Sequence, residues 1–137
     1  MNQLECVLLV DDDEITNFVH ESLINDLGIA KQVLVAKNGL EALEIIQQQE
    51  AQGLHCPNLI FVDINMPVMN GFEFLEAYQR LDEALRQSLI IVMLTTSLNP
   101  KDIERTKDTG VADFLNKPLT ADKVREVLAK HFEMDAE

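Results

Sequence analysis

The sequence predicts a doubly wound α/β domain, with a five-stranded parallel sheet covered by helices on both faces. Three observations lead there. Five short runs rich in Val, Ile and Leu recur along the chain, and a segment of helical apolar spacing follows each. The runs are continuously apolar rather than alternating, as strands buried on both faces are. The chain has 137 residues and is 47% hydrophobic, which suits one domain around one core.

The elements read in order as follows. Residues 6–10 form a strand that ends on Asp11-Asp12-Asp13-Glu14. Ile15, Phe18, Val19, Ser22, Leu23 and Leu27 then fall at helical spacing, with Asp13 as N-cap and Gly28 as terminator. Residues 33–36 form the second strand, and Asn38-Gly39 turns into a helix with a stripe of Leu40, Ala42, Leu43 and Ile46. The third strand, residues 59–63, ends on a single carboxylate, Asp63, and a turn bounded by Pro67 and Gly71 follows, where proline fixes φ and glycine permits φ > 0. Its helix carries Phe72, Leu75, Tyr78 and Leu81, and the polar segment 82–88 is either an extension or a loop. The fourth strand, residues 89–94, ends on Thr95-Thr96-Ser97. Asn99-Pro100 opens a polar helix over 101–109, where only Ile103 is clearly apolar and Gly110 ends it. The fifth strand, residues 112–115, leads to Asn116-Lys117-Pro118, and Thr120 caps a last helix carrying Val124, Val127, Leu128 and Phe132. Alternation of this kind implies right-handed crossovers. The expected arrangement is the flavodoxin-like (βα)5 three-layer sandwich with sheet order 2-1-3-4-5, whose ligand site lies at the carboxyl ends of the strands. Residues 1–137 are expected to be a single domain with a core of about 5–132 and no output domain.

That rule gathers Asp11, Asp12, Asp63, Thr95 and Lys117 on one rim. Like charges at 4 Å repel by about 4 kcal/mol per pair at an effective dielectric of 20. One lysine does not neutralise three acids, whereas a hard divalent cation with oxygen ligands does, and Mg²⁺ keeps waters for a phosphate oxygen. The hydroxyl and the ammonium then face the remaining oxygens of a phosphoryl group, and Asp63 is placed as a nucleophile forming an acyl phosphate. Singly, an acidic run after a strand is ordinary charge at a helix N-terminus, and a threonine there is an ordinary turn residue. Convergence from four strand ends is what singles out the site.

Composition excludes several classes. The net charge of -13 disfavours binding to a nucleic-acid backbone, which needs a basic face. No apolar run approaches the roughly 20 residues that span a bilayer. The first residues lack the charged and apolar regions of a secretory signal, so a cytoplasmic protein is expected. Cys6 and Cys56 are too few for a disulfide framework and read as small buried apolar residues. His20, His55 and His131 lie off the rim and read as ordinary surface or half-buried side chains.

Val10-Asp11-Asp12, the segment Asp63-x-Asn65-Met66-Pro67-x-Met69-x-Gly71, Thr95 and Lys117-Pro118 together are similar to the receiver domain of two-component response regulators, over essentially the whole chain. The resemblance is to stand-alone, chemotaxis-regulator-like receivers. It implies that Asp63 is the phosphoacceptor and that Asp12, Asp63 and the Asn65 carbonyl ligate Mg²⁺, with Asp11 acting nearby or through water. It implies that Thr95 and Lys117 contact the phosphoryl oxygens, and that Thr95 and Phe114 form the switch. The donor is then a sensor histidine kinase or a histidine phosphotransfer protein. Output passes through the face of helix four, strand five and helix five to another protein, to a phosphorylation-dependent dimer or along a relay. The chain is then not an enzyme beyond its own phosphorylation and dephosphorylation. Phe114 departs from the usual tyrosine, Asn70 from an acid, and Thr96 from a smaller residue. An Mg²⁺-dependent aspartyl-nucleophile phosphohydrolase is the runner-up, but Asn65 stands where its general acid/base would be. A binding module that no longer responds to phosphate is the third reading.

Overall fold

The computed structural model describes residues 3–53, 57–81, 89–96, 99–106 and 110–132. Within them strands and helices alternate: β1 (Leu4–Val10), α1 (Glu14–Leu27), β2 (Ala30–Ala36), α2 (Gly39–Ala51), β3 (Leu59–Asp63), α3 (Gly71–Tyr78), β4 (Ile90–Thr95), α4 (Pro100–Arg105), β5 (Val111–Asn116) and α5 (Ala121–His131). His55, Cys56, segment 82–88, Ser97 and the predicted end of the fourth helix at 107–109 lie outside the described residues.

The sheet order is β2-β1-β3-β4-β5, and every neighbouring pair is parallel, as expected. The pleat sends alternate strand residues to opposite faces. Leu8, Val10, Ile60, Val62, Ile91 and Met93 meet Ala42, Leu43 and Ile46 of α2 and Phe72, Phe74 and Leu75 of α3. Val7, Leu9, Leu59, Phe61, Val92 and Leu94 meet Ile24 of α1 and Val124, Val127 and Leu128 of α5. The helix starts follow their caps. Asp13, Asn38, Asn99 and Thr120 each accept a backbone N–H of the first turn, and Pro100 stands at the start of α4. Asn70, read from sequence only as a loop residue, forms a reciprocal capping box with Glu73.

Four expectations need correcting. The inward face of α1 is Asn17, His20 and Ile24, whereas Ile15 and Phe18 are 74% and 71% exposed and Val19 is also exposed. Two polar residues hold the buried stripe because each pairs with a backbone group beside it, so the helix is rotated away from its apolar spacing. Leu40 of α2 is likewise exposed. Cys6 is buried, as expected, but it is disulfide-bonded rather than simply a small apolar residue. Asn58, just before β3, pairs with Cys6 in both directions, accepting its N–H through Oδ1 at 3.0 Å and donating to its carbonyl at 2.8 Å. This pairing holds the start of β3 beside β1.

The fourth correction concerns the turn after β3. Gly71 does not have positive φ there; Val68 does, at 67°. Glycine is needed at 71 for space. A Cβ there would stand 2.8 Å from the Asp63 carbonyl oxygen and 2.9 Å from the Ile64 Cα. Both neighbours are backbone, so the loop itself would have to shift. Gly71→Ala is therefore expected to lower stability by about 1–3 kcal/mol, read from urea unfolding.

Candidate functional site

Parallel register brings the strand ends level. Val10 pairs with Val62, Asp63 with Leu94, and Thr95 with Asn116. The ladder continues one step further, with Asp11 N–H donating to Ala36 O, Ile64 N–H to Leu94 O and Lys117 N–H to Thr95 O. Asp11, Asp63, Thr95 and Lys117 thus arrive at one edge from β1, β3, β4 and β5. Asp63 is 6% exposed, Asp11 and Thr95 are also buried, and Lys117 is half-buried. Asp12 is exposed at the rim.

Oxygens of Asp11, Asp12 and Asp63 lie within 4.8 Å of one another. Lys117 Nζ reaches Asp11 Oδ2 at 2.5 Å and Asp63 Oδ2 at 3.2 Å. Burial pushes the Asp63 carboxyl above the usual range; the Lys117 charge opposes this and the Asp11 charge adds to it. Burial alone would lower Lys117, but its hydrogen bond to Asp11 and the charge of Asp63 hold it above its ordinary value. Three carboxylates against one ammonium leave an uncompensated negative site built of hard oxygen donors. That donor set fits a divalent cation such as Mg²⁺.

The loop after β3 closes one side. The Asn65 backbone N–H acts on Asp63 in the direction that favours its charged form, so this peptide lies beside the cluster. Gly71 N–H donates to Ile64 O at 2.9 Å, and Gly39 N–H at the start of α2 donates to Met69 O at 3.0 Å. Phe114 lies within β5, opposite Met93 of β4, half-buried against the core beneath α2 and α3.

Three residues with no role in the sequence reading hold the backbone around these groups. Asn17 Nδ2 donates to Asp11 O at 2.8 Å. Lys123 Nζ donates to Asn116 O at 2.8 Å and to Pro118 O at 3.0 Å. His20, read as a surface or half-buried side chain, is 2% exposed, and its Nε2 accepts the Leu119 N–H at 3.2 Å. The only sequence signal was Asn17, His20 and Ile24 at positions i, i+3 and i+7, a stripe whose polar members gave no sign of facing inward.

Comparison with known proteins places this arrangement. The family model described as response regulator receiver domain matches residues 7–129. The chain is 34% identical over 127 residues to two-component response regulator 24 of Arabidopsis thaliana, covering 90% of this chain and 81% of the relative. It is 31% identical to hybrid signal transduction histidine kinase B of Dictyostelium discoideum over 94% of its length, but spans only 7% of that protein. A crystal structure of a two-component response regulator from Cytophaga hutchinsonii superposes with a TM-score of 0.88 at 28% identity, covering 97% of this chain and all of the other.

His20 gives a pH dependence whose sign is fixed. Burial lowers its pKa from 6.5; the Lys117 charge acts in the same direction and the Asp11 charge against it. Between the lowered native value and 6.5 the unfolded chain binds more protons, so stability falls on acidification through that window and is complete above it. Urea midpoints between pH 7.5 and 5.5 are expected to fall further for the native chain than for His20→Gln.

Proposed function

We propose that Asp63 is the phosphoacceptor of this chain, which belongs to the response regulator receiver family and is a phosphoaccepting signalling domain of two-component systems. The observation that carries the assignment is the buried Asp63 carboxylate, held against Asp11, Asp12 and Lys117 at the carboxyl edge of the sheet. A carboxylate oxygen of Asp63 attacks the phosphorus of a phosphohistidine. The P–N bond breaks, a P–O bond forms, and the imidazole leaves with the N–P electron pair. Asp11, Asp12, Asp63 and the Asn65 carbonyl would hold Mg²⁺, which supplies charge neutralisation at the transferring oxygens. Lys117, bridging Asp11 and Asp63 beforehand, turns its ammonium to a phosphoryl oxygen. Thr95, one residue beyond the Leu94 partner of Asp63, offers a hydroxyl to another.

The donor is a histidine kinase or a histidine phosphotransfer protein. We assign its docking to the outward face of α1. Ile15, Phe18 and Val19 are exposed there, one helical turn from the acidic rim. Exposed apolar surface beside a reactive group is where a partner gains binding energy while presenting its own reactive atom. Output follows from movement of Thr95 and inward turning of Phe114, which reshapes the face of α4, β5 and α5 for a downstream protein, a second copy or a relay partner. The chain's own chemistry is then limited to accepting and losing a phosphoryl group.

Two measurements test this. With acetyl phosphate and Mg²⁺, the chain is expected to take up one acid-stable, base-labile phosphoryl group. Asp63→Asn and addition of EDTA should each abolish uptake; labelling of Asp63→Asn would overturn the acceptor. Replacing Ile15 and Phe18 together by alanine is expected to slow transfer from the cognate phosphohistidine donor at least tenfold, while uptake from acetyl phosphate stays within twofold. Equal losses with both donors would remove α1 as the docking face.

A further inference from the structure

Lys117 carries its ammonium on the loop that links β5 to α5, and a loop does not hold a side chain precisely unless its backbone is held. Three residues, Thr95, Lys123 and His20, hold this one. The Lys117 N–H donates to Thr95 O at 2.7 Å, anchoring the loop's first residue to β4. Lys123, from the first turn of α5, donates to the carbonyls of Asn116 and Pro118 on either side of it. The remaining contact comes from the opposite direction, because His20 on α1 accepts the Leu119 N–H. Leu119 is itself buried, 5% exposed, and packs with the core under α1 and α5. Its N–H is therefore cut off from solvent and needs an acceptor from the protein.

The structure assigns to His20 the part of a positioning residue for Lys117: its Nε2 fixes the Leu119 peptide and so the path of the loop that delivers the ammonium to Asp11 and Asp63. An acceptor is required at this point, and an imidazole offers one only while that nitrogen is unprotonated. Burial keeps the ring neutral, as the direction of its pKa shift indicates. His20 also lines, with Ile15, Thr16, Val19, Lys117 and Pro118, a cavity of about 280 Å³ between α1 and the loop. A loop released from His20 thus has space to move into. His20 touches neither the phosphoryl group nor a reacting atom; it acts through Lys117.

The inference rests on the role of Lys117 in phosphoryl uptake, and its test separates the two. In the full chain, hydrogen exchange of the Leu119 amide is followed by NMR alongside the initial rate of phosphorylation by acetyl phosphate with saturating Mg²⁺. His20→Leu is expected to speed Leu119 exchange at least tenfold and to slow phosphorylation five- to twentyfold. His20→Gln, which keeps an acceptor oxygen, is expected to restore both to within threefold of the native chain. In a Lys117→Ala background, His20→Leu should lower the rate by less than twofold further, because the group it positions is gone. Undiminished protection of Leu119 in His20→Leu, or a further loss in the Lys117→Ala background as large as in the native one, would overturn the assignment. Full phosphorylation of Lys117→Ala alone would instead overturn the role of Lys117, while the Leu119 exchange still reports whether His20 holds the loop. Thermal unfolding of each variant confirms that the rates come from folded protein.

Discussion

Burying Asp63 beside Asp11 is the constraint on which the rest of the structure depends. Burial in a low-dielectric pocket and the neighbouring Asp11 charge both raise the cost of ionising Asp63. The protein answers with Lys117, but topology makes that answer difficult. In the order β2-β1-β3-β4-β5 the strand carrying Lys117 is three places from the strand carrying Asp11. At about 4.8 Å per strand that separation exceeds what a lysine spans from a chain running straight on. The loop after β5 must therefore hold Lys117 where its side chain reaches across the strand ends. The contacts of Thr95 O, Lys123 and His20 with its backbone are the means by which it does so. The local conformation of residues 116–119, half the inward face of α1 and the first turn of α5 all follow from one charge requirement.

The same requirement explains why α1 presents apolar side chains to solvent. Asn17 must face inward to reach the Asp11 carbonyl, and His20, one turn later, to reach Leu119. With those two directions set, Ile15, Phe18 and Val19 have no place but the outer face. Exposing them has a cost in solvation that a helix optimised for folding would not carry. Beside the proposed phosphoacceptor, the outward apolar face and the inward polar stripe become two consequences of a single rotation of the helix.

Much of this was legible in the residues. Continuously apolar strands gave the sheet and its covering on both faces. Residue types that end strands gave Asp11, Asp12, Asp63, Thr95 and Lys117 as neighbours, because in a parallel sheet all carboxyl ends share an edge. What was not legible depends on contacts across sequence distance that leave no periodic trace. A buried histidine whose partner is a backbone N–H 99 residues away reads like any helix polar residue. Gly71 read as a turn residue that permits positive φ, whereas its absent side chain lets α3 start against the Asp63 carbonyl. The apolar spacing of α1 pointed to the wrong face because periodicity assigns inward positions to apolar side chains and has no means of recognising a satisfied polar one.

In the proposed switch, phenylalanine at 114 in place of a hydroxylated aromatic changes what the movement of the ring works against. A tyrosine turned outward can hold that position with a hydrogen bond at the surface; phenylalanine has none, so its balance between outward and inward packing is set by apolar contact alone. Phe114 is already half-buried against the core beneath α2 and α3, opposite Met93. At about 25 cal/mol per Å² of apolar area, moving even 40 Å² of the ring out of water contributes about 1 kcal/mol. That is the size of coupling expected between phosphorylation and an output surface, about 1–3 kcal/mol. In the proposed switch, withdrawal of Thr95 toward a phosphoryl oxygen opens space beneath the ring, and burial of the ring then supplies the driving force.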